Sequence, residues 1–208
     1  MTEMTDAPRP LGLGDSAPNF TARSTKGQLA LSDYRERWLV FFSHPADFTP
    51  VCTSEFIAFA KAKAGFEALG CALLGLSVDS LYAHLAWVRA IEAHFGIAID
   101  FPIVEDPSMA VGRAYGMIDA AAQDSAAVRS TYIIDPDGIV RAIMVYPHTV
   151  GRSVDEILRT VAALQQTADG TRLTPEGWRP GDAFLAPPSE RVMEGDDLGW
   201  FCRTMDAP

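Results

Sequence analysis

Hydrophobic and polar positions switch between two periods along this chain. WLVFFS (Trp38–Ser43) is an unbroken apolar run, which predicts a central strand buried on both faces. The next segment, from about Pro50 to Leu69, carries Phe56, Phe59, Ala60, Phe66 and Leu69 near one face, and Gly70 stops it. That spacing predicts an amphipathic helix. CALLGLSV (Cys71–Val78) predicts a second strand. Asp79 and Ser80 offer N-caps to a helix carrying Leu81, Leu85, Val88 and Ile91 and ending near Gly96. FPIVED (Phe101–Asp106) reads as a short strand, followed by a short helix around Met109–Tyr115. STYIID and GIVRAIMVY flank the turn DPDG (Asp135–Gly138) and predict a β-hairpin. Ser153 opens S-V-D-E, a capping-box pattern, before a last helix to about Gln166.

Strand and helix in alternation, then a hairpin and a final helix, predict a three-layer α/β domain with a mixed central sheet. Residues 1–15 read as a flexible lead. After residue 166 the pattern dissolves into Pro, Gly and acidic positions, so the domain is taken as 1–166 and a C-terminal extended arm as 167–208. Trp178, Phe184, Leu185, Trp200 and Phe201 are costly to leave in water, so the arm is expected to pack on its own domain or on a partner subunit.

Composition changes this picture only by exclusion. The 208 residues carry a formal net charge of -10 and no basic stripe, which disfavours nucleic acid and anionic lipid as partners. No apolar run is long enough to span a membrane. The acidic N-terminal stretch has no apolar core of a secretory signal, so none is expected. Three cysteines, Cys52, Cys71 and Cys202, are too sparse for a disulfide framework and fit a reducing cytoplasm.

The candidate chemistry sits in HPADFTPVCTSE (His44–Glu55). Pro50 suits the first position of a helix, which makes Thr49 the N-cap and Cys52 the third helical residue. A thiol in a first helical turn feels the positive end of the helix dipole, which favours a thiolate nucleophile. The cap hydroxyl is expected beside the first-turn amides and the thiol. His44-Pro45 must leave the strand in an irregular turn, because a residue before proline avoids helical angles. An isolated cysteine at a helix start is more often inert packing; the prolines, the cap and the preceding central strand argue against that here.

These residues resemble the peroxiredoxin family. Pro45, Thr49 and Cys52 match its P-x-x-x-T-x-x-C signature, and HPADFTPVCTSE is similar to the 1-Cys, peroxiredoxin-6-like subgroup of archaeal and bacterial thiol peroxidases. GLSVDS, FPIVEDP, RSTYIIDP, YPHTVGRSVDEILR and TPEGWRPGD follow in the family's order, so the likeness covers nearly the whole chain. The resemblance implies a thioredoxin-like fold and a thiol peroxidase acting on hydrogen peroxide and organic hydroperoxides. By the same resemblance Cys52 is the peroxidatic nucleophile, and Thr49 bonds the thiolate and the peroxide. Pro45 shields the sulfur, Arg129 lies beside it, His44 and Glu55 stand near the site, and Arg152 supports it. Also implied are a thiol reductant, a homodimer and a ring of five or six dimers.

The chemistry needs those residue types. A thiolate attacks one peroxide oxygen while charge develops on the other, and fixed donors aimed there lower the barrier by about 3 kcal/mol each. The product is a sulfenic acid on Cys52. Cys71, in a buried strand pattern, is expected to be core. Cys202, in GWFC, matches a place where some family members keep resolving cysteines, often two, and is the candidate for that role here, the alternative being an unpaired tail thiol and a 1-Cys cycle. His84 and His94 are expected to be surface or packing residues on one helix. His84, His94 and His148 show no metal-ligand spacing, so neither a metal nor a bound redox cofactor is expected. Mammalian members of the subgroup have a lipase-type activity resting on a G-D-S-W-G serine. RERW (Arg35–Trp38) stands in its place, so that activity is not expected. A disulfide reductase would need C-x-x-C, which is absent. A peroxide sensor or holdase chaperone using the same cysteine is the competing class.

Overall fold

The computed structural model describes residues 10–118, 126–188 and 201–206. The chain divides into two compact units, Met1–Val154 and Asp155–Pro208. This division falls at the start of the last helix, ahead of the residue-166 boundary read from the sequence.

The first unit is built on a seven-stranded mixed sheet. Its strands are β1 (Thr21–Ser24), β2 (Gly27–Ala30), β3 (Trp38–Ser43), β4 (Cys71–Ser77), β5 (Ile103–Glu105), β6 (Arg129–Ile134) and β7 (Val140–Tyr146). They lie in the order β2-β1-β5-β4-β3-β6-β7. β3, β4 and β5 run parallel, and β1 and β6 join them antiparallel. The helices are α1 (Pro50–Lys61), α2 (Lys63–Ala68), α3 (Leu81–Phe95) and α4 (Ala110–Ala114).

The apolar run of β3 is explained by burial on both faces. Phe41 turns to one side, where it meets Tyr115 edge-on at 4.9 Å and packs with Leu39, Leu74, Leu76, Val104 and Ile134. Phe42 turns to the other, stacked on Phe59 at 4.3 Å and edge-on to Phe56 at 5.5 Å. Phe56 and Phe59 belong to α1, so this aromatic layer seats that helix on the sheet. Each such ring contributes about 1.5–3 kcal/mol by leaving water.

The elements refine the sequence reading at three places. The single helix over 50–69 is two, broken at Ala62 in the run before Gly65, a poor helix former. In α3 the fully buried positions are His84, Trp87 and Ile91, while Leu81, Leu85 and Val88 are half-buried. The hairpin of β1 and β2 at one sheet edge was not predicted, because TARS and GQLA are short and mostly polar. The DPDG hairpin is present, its Gly138 at φ 74° donating its N–H to the Asp135 carbonyl.

The second unit carries most of α5 (Val154–Gln166), which starts directly after Ser153. Two short strands, β8 (Phe184–Leu185) and β9 (Thr204–Met205), pair antiparallel. Trp178 is buried within 5.2 Å of the Phe184 ring, and its carbonyl accepts from Arg159 at 3.0 Å. Trp200 lies outside the described residues.

Candidate active site

The sheet topology dictates where the chemistry gathers. β3 delivers the chain into the loop 44–49 and then into α1, so the start of α1 lies at the carboxyl end of a parallel strand, the usual place for a ligand crevice. β6 runs antiparallel to β3, with Thr131 opposite Phe42. Its first residue, Arg129, is therefore carried past the end of β3 towards the same spot.

There the side chains interlock. Arg129 Nη1 donates to Cys52 Sγ at 3.3 Å and to Glu55 Oε2 at 2.8 Å. Arg129 Nε and Nη2 both donate to the His148 carbonyl, at 3.1 and 2.8 Å. Glu55 stands three residues after Cys52, hence on the same side of α1. Its Oε1 accepts from the Arg152 backbone at 2.7 Å and from Arg152 Nε at 2.9 Å, and its Oε2 from Arg152 Nη2 at 2.8 Å. Arg152 Nη1 reaches the Ser130 carbonyl at 3.1 Å, and its guanidinium lies 5.0 Å over the Phe42 ring. Cys52, Glu55, Arg129 and Arg152 are all buried.

Burial alone would raise the Glu55 carboxyl; the bonds and charge of Arg152, with the charge of Arg129, outweigh it and hold Glu55 below its ordinary range. Two guanidinium charges thus face one carboxylate. The positive charge left over sits against the Cys52 sulfur.

Thr49 differs from expectation. It occupies the N-cap with extended backbone angles, but its side chain caps no amide. Its hydroxyl instead donates to the Ala46 carbonyl at 2.8 Å. That uses its only proton and leaves its oxygen as an acceptor. Pro45 lies half-buried in the same loop. A mainly apolar cleft of about 510 Å³ opens beside this loop, lined by Phe48, Thr49, Pro50, Trp87 and Phe95 among others.

His44 is fully buried, its Nε2 2.8 Å from Asp47 Oδ1. His84 is not a surface residue: it too is fully buried, with Nδ1 2.7 Å from Asp47 Oδ2. Sequence reasoning missed Asp47, His84 and the His148 carbonyl. The available signal was the spacing of His84 with Trp87 and Ile91, which puts the three on one helical stripe. His94 is exposed. Cys71 is buried, and burial pushes its thiol up to about 12. Cys202 is the one exposed free thiol among the described residues.

The class of protein follows from comparison with known sequences and structures. Residues 13–143 match the AhpC/TSA family. Peroxiredoxin 2 of Picrophilus torridus is 46% identical over 94% of this chain and 99% of its own length. A yeast mitochondrial 1-Cys peroxiredoxin superposes with a TM-score of 0.85 at 37% identity, covering 95% of this chain and 100% of that one. A mutant of the peroxiredoxin 6 of Arenicola marina does so with a TM-score of 0.85 at 31% identity, over 95% and 99%. This chain belongs to the AhpC/TSA family, in its peroxiredoxin branch. It is a thiol-dependent peroxidase with a thioredoxin-like fold, drawing its electrons from a thiol reductant.

Proposed function

We propose that Cys52 is the peroxidatic cysteine and that Arg129, Thr49, Pro45, Glu55, Arg152 and His44 form its site. The observation that carries this reading is the Arg129 guanidinium, held against the Cys52 sulfur by Glu55 and the His148 carbonyl. In the reaction the Cys52 thiolate attacks one peroxide oxygen. The S–O bond forms as the O–O bond breaks, and the departing oxygen leaves as hydroxide or alkoxide and takes up a proton. Arg129 stabilises the charge that moves from sulfur to that oxygen. Thr49, its O–H already donated to the Ala46 carbonyl, accepts the hydrogen bond of the incoming O–H. The enclosed sulfur favours small peroxides: hydrogen peroxide and small organic hydroperoxides.

The sulfenic acid must then be reduced. Cys202 is the resolving thiol in this reading: exposed, unlike Cys71, it condenses with Cys52–SOH of a neighbouring subunit to a disulfide and water. An external dithiol returns both sulfurs to thiols. The assembly is a homodimer, with rings of dimers as the larger form, working in a reducing cytoplasm.

One equivalent of hydrogen peroxide added to reduced protein tests both steps. A dimedone adduct on Cys52, lost in Cys52→Ser, supports the first; an adduct elsewhere refutes it. A Cys202-dependent dimer on non-reducing gels supports the second. Monomer alone would mean that an external thiol reduces the sulfenic acid directly.

A further inference from the structure

The loop between β3 and α1 holds a second buried cluster, in which His44 is joined to two residues that the reaction above leaves unassigned. Asp47 bridges two imidazoles, His44 through Oδ1 at 2.8 Å and His84 through Oδ2 at 2.7 Å. Both rings are fully buried, and the Asp47 side chain is 2% exposed. Burial alone would raise the Asp47 carboxyl; the bonds from His44 and His84 outweigh it and hold it below its ordinary range. Asp47 is therefore ionised at neutral pH and offers only lone pairs. Each ring nitrogen facing it must carry a proton, so His44 is protonated at Nε2 and His84 at Nδ1. Burial lowers His44, so its other nitrogen is bare at neutral pH. His44 Nδ1 and His84 Nε2 have no hydrogen-bond partner among the described residues.

The cluster is tied to the loop that carries Pro45 and Thr49. The His44 N–H donates to the Leu76 carbonyl of β4 at 3.0 Å. The Asp47 N–H donates to Asp79 Oδ2 at 2.9 Å, an oxygen that also accepts from Ser77 Oγ at 2.9 Å. The His44 ring packs against Phe56 and Trp87, with centroids 4.8 and 5.2 Å away. Phe56 is one turn along α1 from Cys52. So Asp47 joins three elements: the end of β3, the start of α3 and the loop that opens the catalytic helix.

The geometry points to Asp47 and His84 as positioning residues for peroxide reduction. Their bridge fixes His44 as the Nε2–H tautomer and holds loop 44–49 against α3. This inference rests on the Cys52 reading, but its first test does not. In the full-length protein, nitrogen-resolved proton NMR should show two far-downfield ring N–H signals, on His44 Nε2 and His84 Nδ1. Cys52→Ser should keep both. Asp47→Asn, nearly isosteric, can accept from only one ring, so one signal should vanish. Its second-order rate with hydrogen peroxide should fall about 10- to 100-fold, the usual cost of losing a partner that orients a ligating or reacting group. His84→Gln should lose the His84 signal and slow the reaction by a smaller factor.

Peroxide rates should be divided by the number of titratable thiols, so that partial unfolding does not pass for slow chemistry. Wild-type rates in Asp47→Asn and His84→Gln, with the signals altered, would overturn the positioning role. So would stoichiometric zinc in the purified protein with both ring signals absent, since the three side chains lie within 4.8 Å of one another and would then be ligands. If Cys52→Ser kept full activity while the NMR pattern held, the Cys52 reading would fail and the bridge would stand as structure alone.

Discussion

At the scale of single residues, the site is a problem in buried charge. Glu55 accepts from both Arg129 and Arg152, and none of the three is exposed. Removing the carboxylate leaves two buried guanidinium groups facing each other. Glu55→Gln should therefore destabilise the protein by about 3–5 kcal/mol, read from urea unfolding. A loss under 1 kcal/mol would mean that the arginines find other partners. The same bonds set a pH dependence. Glu55 is held below its ordinary 4.5, so its stabilisation is complete above that value and is lost as pH falls through the lower folded value. His44 is held below its ordinary 6.5 by burial, so the unfolded chain takes up its proton first. Stability should thus decline as pH drops from about 6.5, and more steeply below 4.5. A flat profile between pH 7 and pH 4 would contradict this assignment. In the proposed site the Thr49 hydroxyl oxygen is the atom that accepts from the peroxide. Thr49→Ser should keep most of the peroxide rate, and Thr49→Val should lose about 10²–10³-fold, the range for removing one polar group aimed at a reacting oxygen. Equal rates for the two variants would remove Thr49 from the site.

At the scale of elements, α1, the helix that carries Cys52, is seated by an aromatic layer. Gly75 of β4 sits under it. A Cβ there would meet Phe56 at 3.4 Å, Phe42 at 3.6 Å and Ile103 at 3.7 Å. Alanine fits these gaps, but valine's methyl groups do not. Gly75→Val should cost about 1–3 kcal/mol by overpacking and should also slow the reaction, because Phe56 shares a helix with Cys52. Unchanged thermal unfolding in Gly75→Val would show that the layer yields. This scale also shows what the sequence made legible. The run WLVFFS announced a strand covered on both sides, and Phe41 and Phe42 do point to opposite cores. The Thr-Pro pair announced the start of α1. Cys52 and Arg129, far apart in sequence, were paired only through a family likeness, since no local pattern brings residue 129 to residue 52. The antiparallel register of β3 and β6 does that. The Asp47 bridge was hidden for the same reason: His84 reaches it from α3, and nothing in the spacing of one histidine reports a partner on another element. The Thr49 hydroxyl could not be read at all, because cap identity follows from residue type while the direction of its proton depends on where the Ala46 carbonyl lies.

At the scale of the whole molecule, the three cysteines divide by environment. Cys52 is buried against an arginine, Cys71 is buried in the sheet, and Cys202 is exposed in the second unit. No described helix is long and apolar enough to cross a membrane. With its thiol pushed up to about 12, Cys71 should escape alkylation at pH 8 in the folded protein and react only at the rate of global unfolding. Mass mapping after a timed pulse of iodoacetamide would check this, and early labelling of Cys71 would contradict its placement. The central claim, that Cys52 is an activated peroxidatic sulfur, is tested most directly by stopped-flow fluorescence. Trp87 is a natural reporter, its ring 4.6 Å from Phe56 and 5.2 Å from His44. Reduced protein mixed with one equivalent of hydrogen peroxide should show a fast, second-order change that disappears in Cys52→Ser. A trace without change, with the peroxide left unconsumed, would mean that the buried arginine pair holds a sulfur that does not react.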